Sequence, residues 1–93
     1  MDSGERGFGP ADATAGVTVR YWAGARAAAG VETETVPGAA TVGELVDVLA
    51  TARPALAPVL AVASLLVDGR AGSGRDPIPP GALVEVLPPF AGG

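Results

Sequence analysis

A two-layer α+β fold, with one main helix packed across one face of a mixed sheet, is predicted by three features of the sequence. Residues 17–22 (VTVRYW) and 83–87 (LVEVL) alternate apolar and polar side chains, the period of a strand with one face in a core. Residues 41–53 form one amphipathic pattern with a start signal and a stop signal. Proline and glycine fall mainly between these segments. The order hairpin, helix, further strands leaves the helix to cover the sheet. No internal repeat is visible.

The elements follow in order. In residues 17–22, Val17, Val19 and Tyr21 share one face and Thr18, Arg20 and Trp22 the other. An Ala-rich stretch over residues 24–29 predicts a turn or two of helix ending at Gly30. Residues 31–36 (VETETV) have strand composition, are closed by Pro37-Gly38, and form a hairpin with the first strand through an elaborated connection. Thr41 and Glu44 match a helix capping box, and Val42, Leu45, Val46 and Leu49 make one apolar stripe. Pro54 stops that helix near Arg53. Residues 55–62 read as a Pro-broken stretch and Ser64 to Val67 as a short strand turned by Asp68-Gly69. Residues 70–81, with three Pro and three Gly, read as loop. The last strand, residues 83–87, stops at Pro88-Pro89, since proline cannot donate to a β ladder.

The 93 residues suffice for one domain. The larger apolar residues lie between Val17 and Leu87, which puts the core there. The first 16 residues (MDSGERGFGPADATAG) carry one bulky apolar side chain, Phe8, and are expected to form a disordered extension ahead of a domain over 17–93.

Composition excludes several function classes. With no Cys and no His, the chain lacks a thiolate nucleophile, the usual general base and the commonest metal ligand. No metal site and no bound cofactor are expected, and a stand-alone enzyme is the least favoured reading. The net charge is −4 and the Arg residues are scattered, which argues against nucleic acid. No run approaches the roughly 20 apolar residues of a membrane span, and the N-terminus lacks a secretory pattern, so a cytoplasmic location is expected. There is no Lys, hence no side-chain amine on which the protein could polymerise by isopeptide bonds.

What remains is the C-terminal run PPFAGG. A carboxylate is a poor electrophile and enters acyl chemistry only after activation, typically as a mixed anhydride with AMP. Glycine, lacking Cβ, gives the thinnest backbone for threading into a partner's narrow nucleotide site. Gly92-Gly93 is therefore the candidate working part, with the Gly93 carboxylate as reacting group.

The segments VRYWAGARAAAG, TVGELVDVLA and DPIPPGALVEVLPPFAGG together resemble the MoaD/ThiS sulfur carriers, and among them the small subunits of molybdopterin synthase. The resemblance spans about residues 17–93 and implies the β-grasp, or ubiquitin-like, fold. It also implies a non-catalytic carrier whose Gly93 carboxylate an ATP-using, E1-like enzyme adenylates. A sulfur donor system then converts it to a thiocarboxylate. The charged tail inserts into the large synthase subunit, in an expected heterotetramer, during molybdenum cofactor biosynthesis. Carriers serving thiamin or cysteine pathways, or a ubiquitin-like protein modifier, are the alternatives; a plain interaction module is a third class.

In a β-grasp sheet the first and last strands are neighbours. Trp22 and Leu87 should then share an exposed apolar patch on the helix-free face, a partner-docking candidate. The competing reading folds Trp22 against the 70–82 loop. Phe90 is read as a tail anchor in a partner groove, with Ala91, Gly92 and Gly93 threading beyond it. Pro88 and Pro89 would stiffen the spacer. Asp68 and Asp76 read as turn residues and Arg70 and Arg75 as solvated charges. Gly72-Ser73-Gly74 lacks the Lys and following helix of a phosphate loop. Glu32 and Glu34 are expected on the solvent side, repelling mildly.

Overall fold

The computed structural model describes residues 16–89. Strand β1 (Val17–Tyr21) buries Val17, Val19 and Tyr21 to 1% exposure or less, so the alternation in the sequence becomes a core face. The chain leaves the sheet at Trp22, whose carbonyl accepts from the Ala25 and Arg26 N–H groups and starts helix α1 (Ala23–Ala29). This corner holds Ala23 at φ 47°, a left-handed conformation that costs a non-glycine residue about 1 kcal/mol. Gly30, at φ 79°, ends α1 with its N–H on the Arg26 carbonyl. Strand β2 (Thr33–Val36) returns antiparallel to β1, with Val17 opposite Val36.

Helix α2 (Val42–Ala52) begins as its sequence signals. Thr41 Oγ1 accepts from the Glu44 N–H at 3.2 Å, and Glu44 Oε1 accepts from the Ala40 N–H at 2.9 Å. The next free donors are also met: the Val42 and Gly43 N–H groups bond the carbonyls of Asp76 and Gly74. A Cβ on Gly43 would stand 3.1 Å from the Gly74 oxygen, so this close approach needs a glycine. Val42, Leu45 and Leu49 are buried and Val46 half-buried.

Two stretches differ from expectation. The Pro-broken segment holds a 3₁₀ turn (Pro54–Leu56) and a short helix, α3 (Ala57–Leu60), which bury Leu56 and Leu60. Both prolines sit at helix starts, where the missing N–H has no helical acceptor to lose. Within residues 70–81, strand β4 (Arg70–Gly72) pairs with β3 (Ser64–Val67) across Asp68-Gly69. Their positive φ values, 48° and 86°, suit a two-residue hairpin. Three residues along one edge, two exposed and Gly72 half-buried, carry too little alternation to read as a strand.

Strand β5 (Leu83–Leu87) completes a five-stranded sheet of order β2-β1-β5-β3-β4. β5 runs parallel to β1, with Tyr21 beside Val86, and antiparallel to β3, with Leu87 beside Ser64. The mixed sheet with helices on one face matches the predicted architecture. Asp68 and Asp76 are turn residues as expected: their carboxylates accept from the Leu83 and Ser73 N–H groups. Arg70 and Arg75 are exposed.

The acidic pair Glu32 and Glu34 departs from expectation in part: Glu32 is exposed as expected, whereas Glu34 is half-buried. Glu32 lies 3.8 Å from Arg20 and 4.0 Å from Arg26, and therefore does not sit in a repelling pair. Glu34 turns toward the helix layer. Arg53, at the end of α2, donates to both Glu34 oxygens at 2.8 and 3.0 Å and to the Ala29 carbonyl at 2.6 Å. The Tyr21 hydroxyl donates to the same carboxylate. One guanidinium thus ties the ends of α1 and α2 to the sheet. The Arg53 hydrogen bonds, helped by Tyr21, hold the Glu34 carboxyl below the usual carboxylate range. Burial, together with Glu34, pushes the Tyr21 hydroxyl above its ordinary value.

Replacing Leu45, which is fully buried, by Ala should cost about 2–5 kcal/mol in urea unfolding, whereas Val48→Ala at 42% exposure should stay within about 0.5 kcal/mol. The clasp sets the pH dependence at both ends. Glu34 has a lowered folded pKa, so its contribution is full above the ordinary carboxylate value of about 4.3 and is lost as pH falls through the folded value. Tyr21 has a raised one, so above about pH 10 the unfolded chain releases a proton the folded chain keeps, and stability falls as pH rises. Tyr21→Phe should cost about 1 kcal/mol at neutral pH and flatten the alkaline fall. Tyr21 is the only tyrosine, so absorbance titration reads it directly; a hydroxyl ionising at its ordinary value in the folded protein would contradict the clasp.

Candidate functional site at the end of the last strand

β5 has a paired strand on each side, so its end is fixed rather than frayed. On one side Leu87 pairs with Ser64 of β3; on the other the Trp22 N–H donates to the Val86 carbonyl at 3.2 Å. Parity along β1 and β5 puts Arg20, Trp22, Glu85 and Leu87 on the face opposite the helices. Val84 and Val86 point into the core and are fully buried.

Trp22 is 40% exposed, yet it is held in place. Its indole Nε1 donates to Glu85 Oε2 at 3.2 Å, and the Arg20 guanidinium carbon lies 4.8 Å from the ring centroid. Arg20 is in turn the partner of Glu32. The indole is pinned between a cation and an anion and presents a fixed apolar surface. Residues 70–72 form β4 at the far edge of the sheet, so Trp22 does not pack on that segment.

Trp22 follows the end of β1, the parallel neighbour of β5, on the face that parity gives to Leu87, and Leu87 is half-buried. Pro88, half-buried, and the exposed Pro89 carry the chain on from there. Phe90, Ala91, Gly92 and Gly93 lie outside the described residues, as do residues 1–15 and with them nearly all of the expected N-terminal extension. Arg20 and Glu85 were not singled out from the sequence. The same parity that places Trp22 outward puts these opposite charges beside it, so the signal was present.

Among the described residues no three His, Cys, Asp or Glu side chains cluster as metal ligands, and no helix is long and apolar enough to cross a membrane. The half-buried Glu85 carboxylate on β5 accepts a hydrogen bond from Trp22. What this geometry offers is mechanical: a braced strand end from which the chain leaves the sheet at a defined point.

Comparison with known proteins agrees with that geometry. SAMP1 of Haloferax volcanii shares 27% identity at a TM-score of 0.74, over 84% of this chain and 99% of that one. A protein of Pyrococcus furiosus described as molybdopterin converting factor subunit 1 shares 26% at 0.74, over 83% and 100%. In a complex of subunits 1 and 2 of the molybdopterin-converting factor of Helicobacter pylori, the matching chain shares 23% at 0.63, over 84% and 99%, which shows the fold alone. No curated protein matches. The family model described as ThiS family matches residues 19–93. The fold is the ubiquitin-like β-grasp, as the resemblance implied, and the chain belongs to the ThiS family.

Proposed function

We propose that this protein is a sulfur carrier whose Gly93 carboxylate is activated by adenylation and converted to a thiocarboxylate. It would supply sulfur as the small subunit of molybdopterin synthase. The observation that carries this reading is the family match, which runs to residue 93 on a fold whose last, central strand ends in Pro88-Pro89. In the first step the carboxylate oxygen attacks the α-phosphate of ATP and pyrophosphate leaves. In the second a sulfur nucleophile from the donor system displaces AMP. The chain's own part is to present a slender end and to bind its partners. The acid, base and nucleotide site belong to the E1-like enzyme, and the acceptor chemistry to the large synthase subunit. Likeness to a molybdopterin converting factor subunit 1 supports this pathway over thiamin or cysteine carriers.

A second reading, a ubiquitin-like protein modifier, is favoured by the likeness to SAMP1, a small archaeal modifier protein. In that case the activated Gly93 would end in an isopeptide bond to a lysine of another protein.

Incubation with an E1-like enzyme, ATP and a sulfur source should raise the intact mass by the difference between sulfur and oxygen. Deleting Gly93 should abolish the gain and leave unfolding stability within about 0.5 kcal/mol. Mass unchanged with a competent cognate enzyme would count against the carrier; a conjugate stable to thiols and boiling, mapped to Gly93, would establish the modifier.

A further inference from the structure

Residues 70–76 (RAGSGRD) carry β4 into the turn beyond it, with three side chains that the proposed function does not use: Arg70, Ser73 and Arg75. All three are exposed. Among the Ser and Thr residues of the sequence, only Ser73 has an Arg three residues ahead of it. A second Arg follows two residues later. Its chain neighbours are Gly72 and Gly74, so neither has a side chain to shield the hydroxyl. Ser73 is held through its main chain. Its N–H donates to Asp76 Oδ2 at 2.9 Å, and its carbonyl accepts from the Asp76 N–H at 3.0 Å. The residues ahead of it, Arg70–Gly72, are already extended as β4, the last strand in the sheet order, so one backbone edge is open.

We infer that Ser73 is a phosphoryl-acceptor site for a protein kinase that reads basic residues. A kinase cleft takes its substrate as an extended strand, and carboxylates there can pair with a guanidinium three residues ahead of the acceptor. β4 supplies the extended run with Arg70 at its start, and the hydroxyl follows its last residue. In the transfer, Ser73 Oγ attacks the γ-phosphorus of ATP. The bond from that phosphorus to the β–γ bridging oxygen breaks, and ADP leaves with the electron pair. The hydroxyl proton passes to the carboxylate base of the kinase. The new group carries a charge of about −1.5 to −2, flanked in the chain by Arg70 and Arg75. It also repels the Asp76 carboxylate that the Ser73 N–H holds, which loosens the turn. That turn lends the Gly74 and Asp76 carbonyls to the Gly43 and Val42 N–H groups, so the charge acts on the start of α2. Gly72 pairs with Leu65 and Leu65 with Val86, two strand spacings or about 10 Å in all. The modification therefore sits at the pole where the chain leaves the sheet.

The test is phosphorylation of the native, full-length protein with ATP, using the catalytic subunit of cyclic-AMP-dependent protein kinase as the probe. One phosphoryl group should be incorporated and should map to Ser73; Ser73→Ala should abolish it. Ser64→Ala should leave incorporation unchanged, because Ser64 is also exposed but lies within β3 and has Ala61 three residues ahead. Arg70→Ala should lower kcat/KM about tenfold or more, with circular dichroism unchanged. In the phosphorylated protein the Val42 and Gly43 amides should exchange faster than in the unmodified one; unchanged exchange there would overturn the link to α2. Absence of incorporation into the native protein overturns the site, and labelling of a peptide of residues 68–78 beside it would show the fold withholding the acceptor. Equal incorporation into wild type and Ser73→Ala overturns it as well. Neither result touches the carrier reading, in which Ser73 has no part.

Discussion

The parallel pairing of β1 with β5 is the constraint on which the rest of the molecule depends. It sets the first and last strands side by side in the middle of the sheet, with Thr18 beside Leu83 and Tyr21 beside Val86. Strands so far apart in sequence pay a large loop-closure entropy before they meet. Burial of Val17, Val19, Tyr21, Val84 and Val86, all at 1% exposure or less, offsets it. Because both strands run the same way, residue 16 and residue 88 lie at opposite ends of the sheet. Anything attached ahead of β1 starts at the pole remote from the site.

That pairing also explains how so plain a surface can be a candidate site. β5 is locked on both flanks, and Pro88-Pro89 then removes the donors a ladder would need to continue. The Arg53 clasp fixes the helix layer to the edge strand β2, and the Arg20–Trp22–Glu85 group fixes the opposite face. In the proposed chemistry, a chain without His, Cys or Lys side chains has few groups that could compete for an activated acyl end.

Much of this was legible in the sequence because it rests on local periodicity. The strand faces of residues 17–21 and 83–87, the Thr41–Glu44 cap and the stripe of α2 all follow from side-chain spacing alone. The misses have physical causes. β4 exists because the Asp68-Gly69 turn delivers three residues to an available edge, and only tertiary pairing makes them a strand. The 3₁₀ turn and α3 were masked by prolines that disfavour helix interiors but suit helix starts. Glu34 was assigned to solvent because its neighbour in the network, Arg53, lies 19 residues away and no local pattern joins them. Trp22 and Leu87 could be placed from strand parity once the fold was in hand.

Native-state hydrogen exchange read residue by residue tests most directly whether the last strand is an unyielding mount for the chain end. The amides of Val84, Glu85 and Val86 should exchange only through global unfolding, at the same free energy as the slowest amides of β1. Exchange of these amides through a local opening well below the global free energy, while β1 and β3 stay protected, would show β5 to be a detachable edge and would contradict the fixed mount on which the proposed site depends.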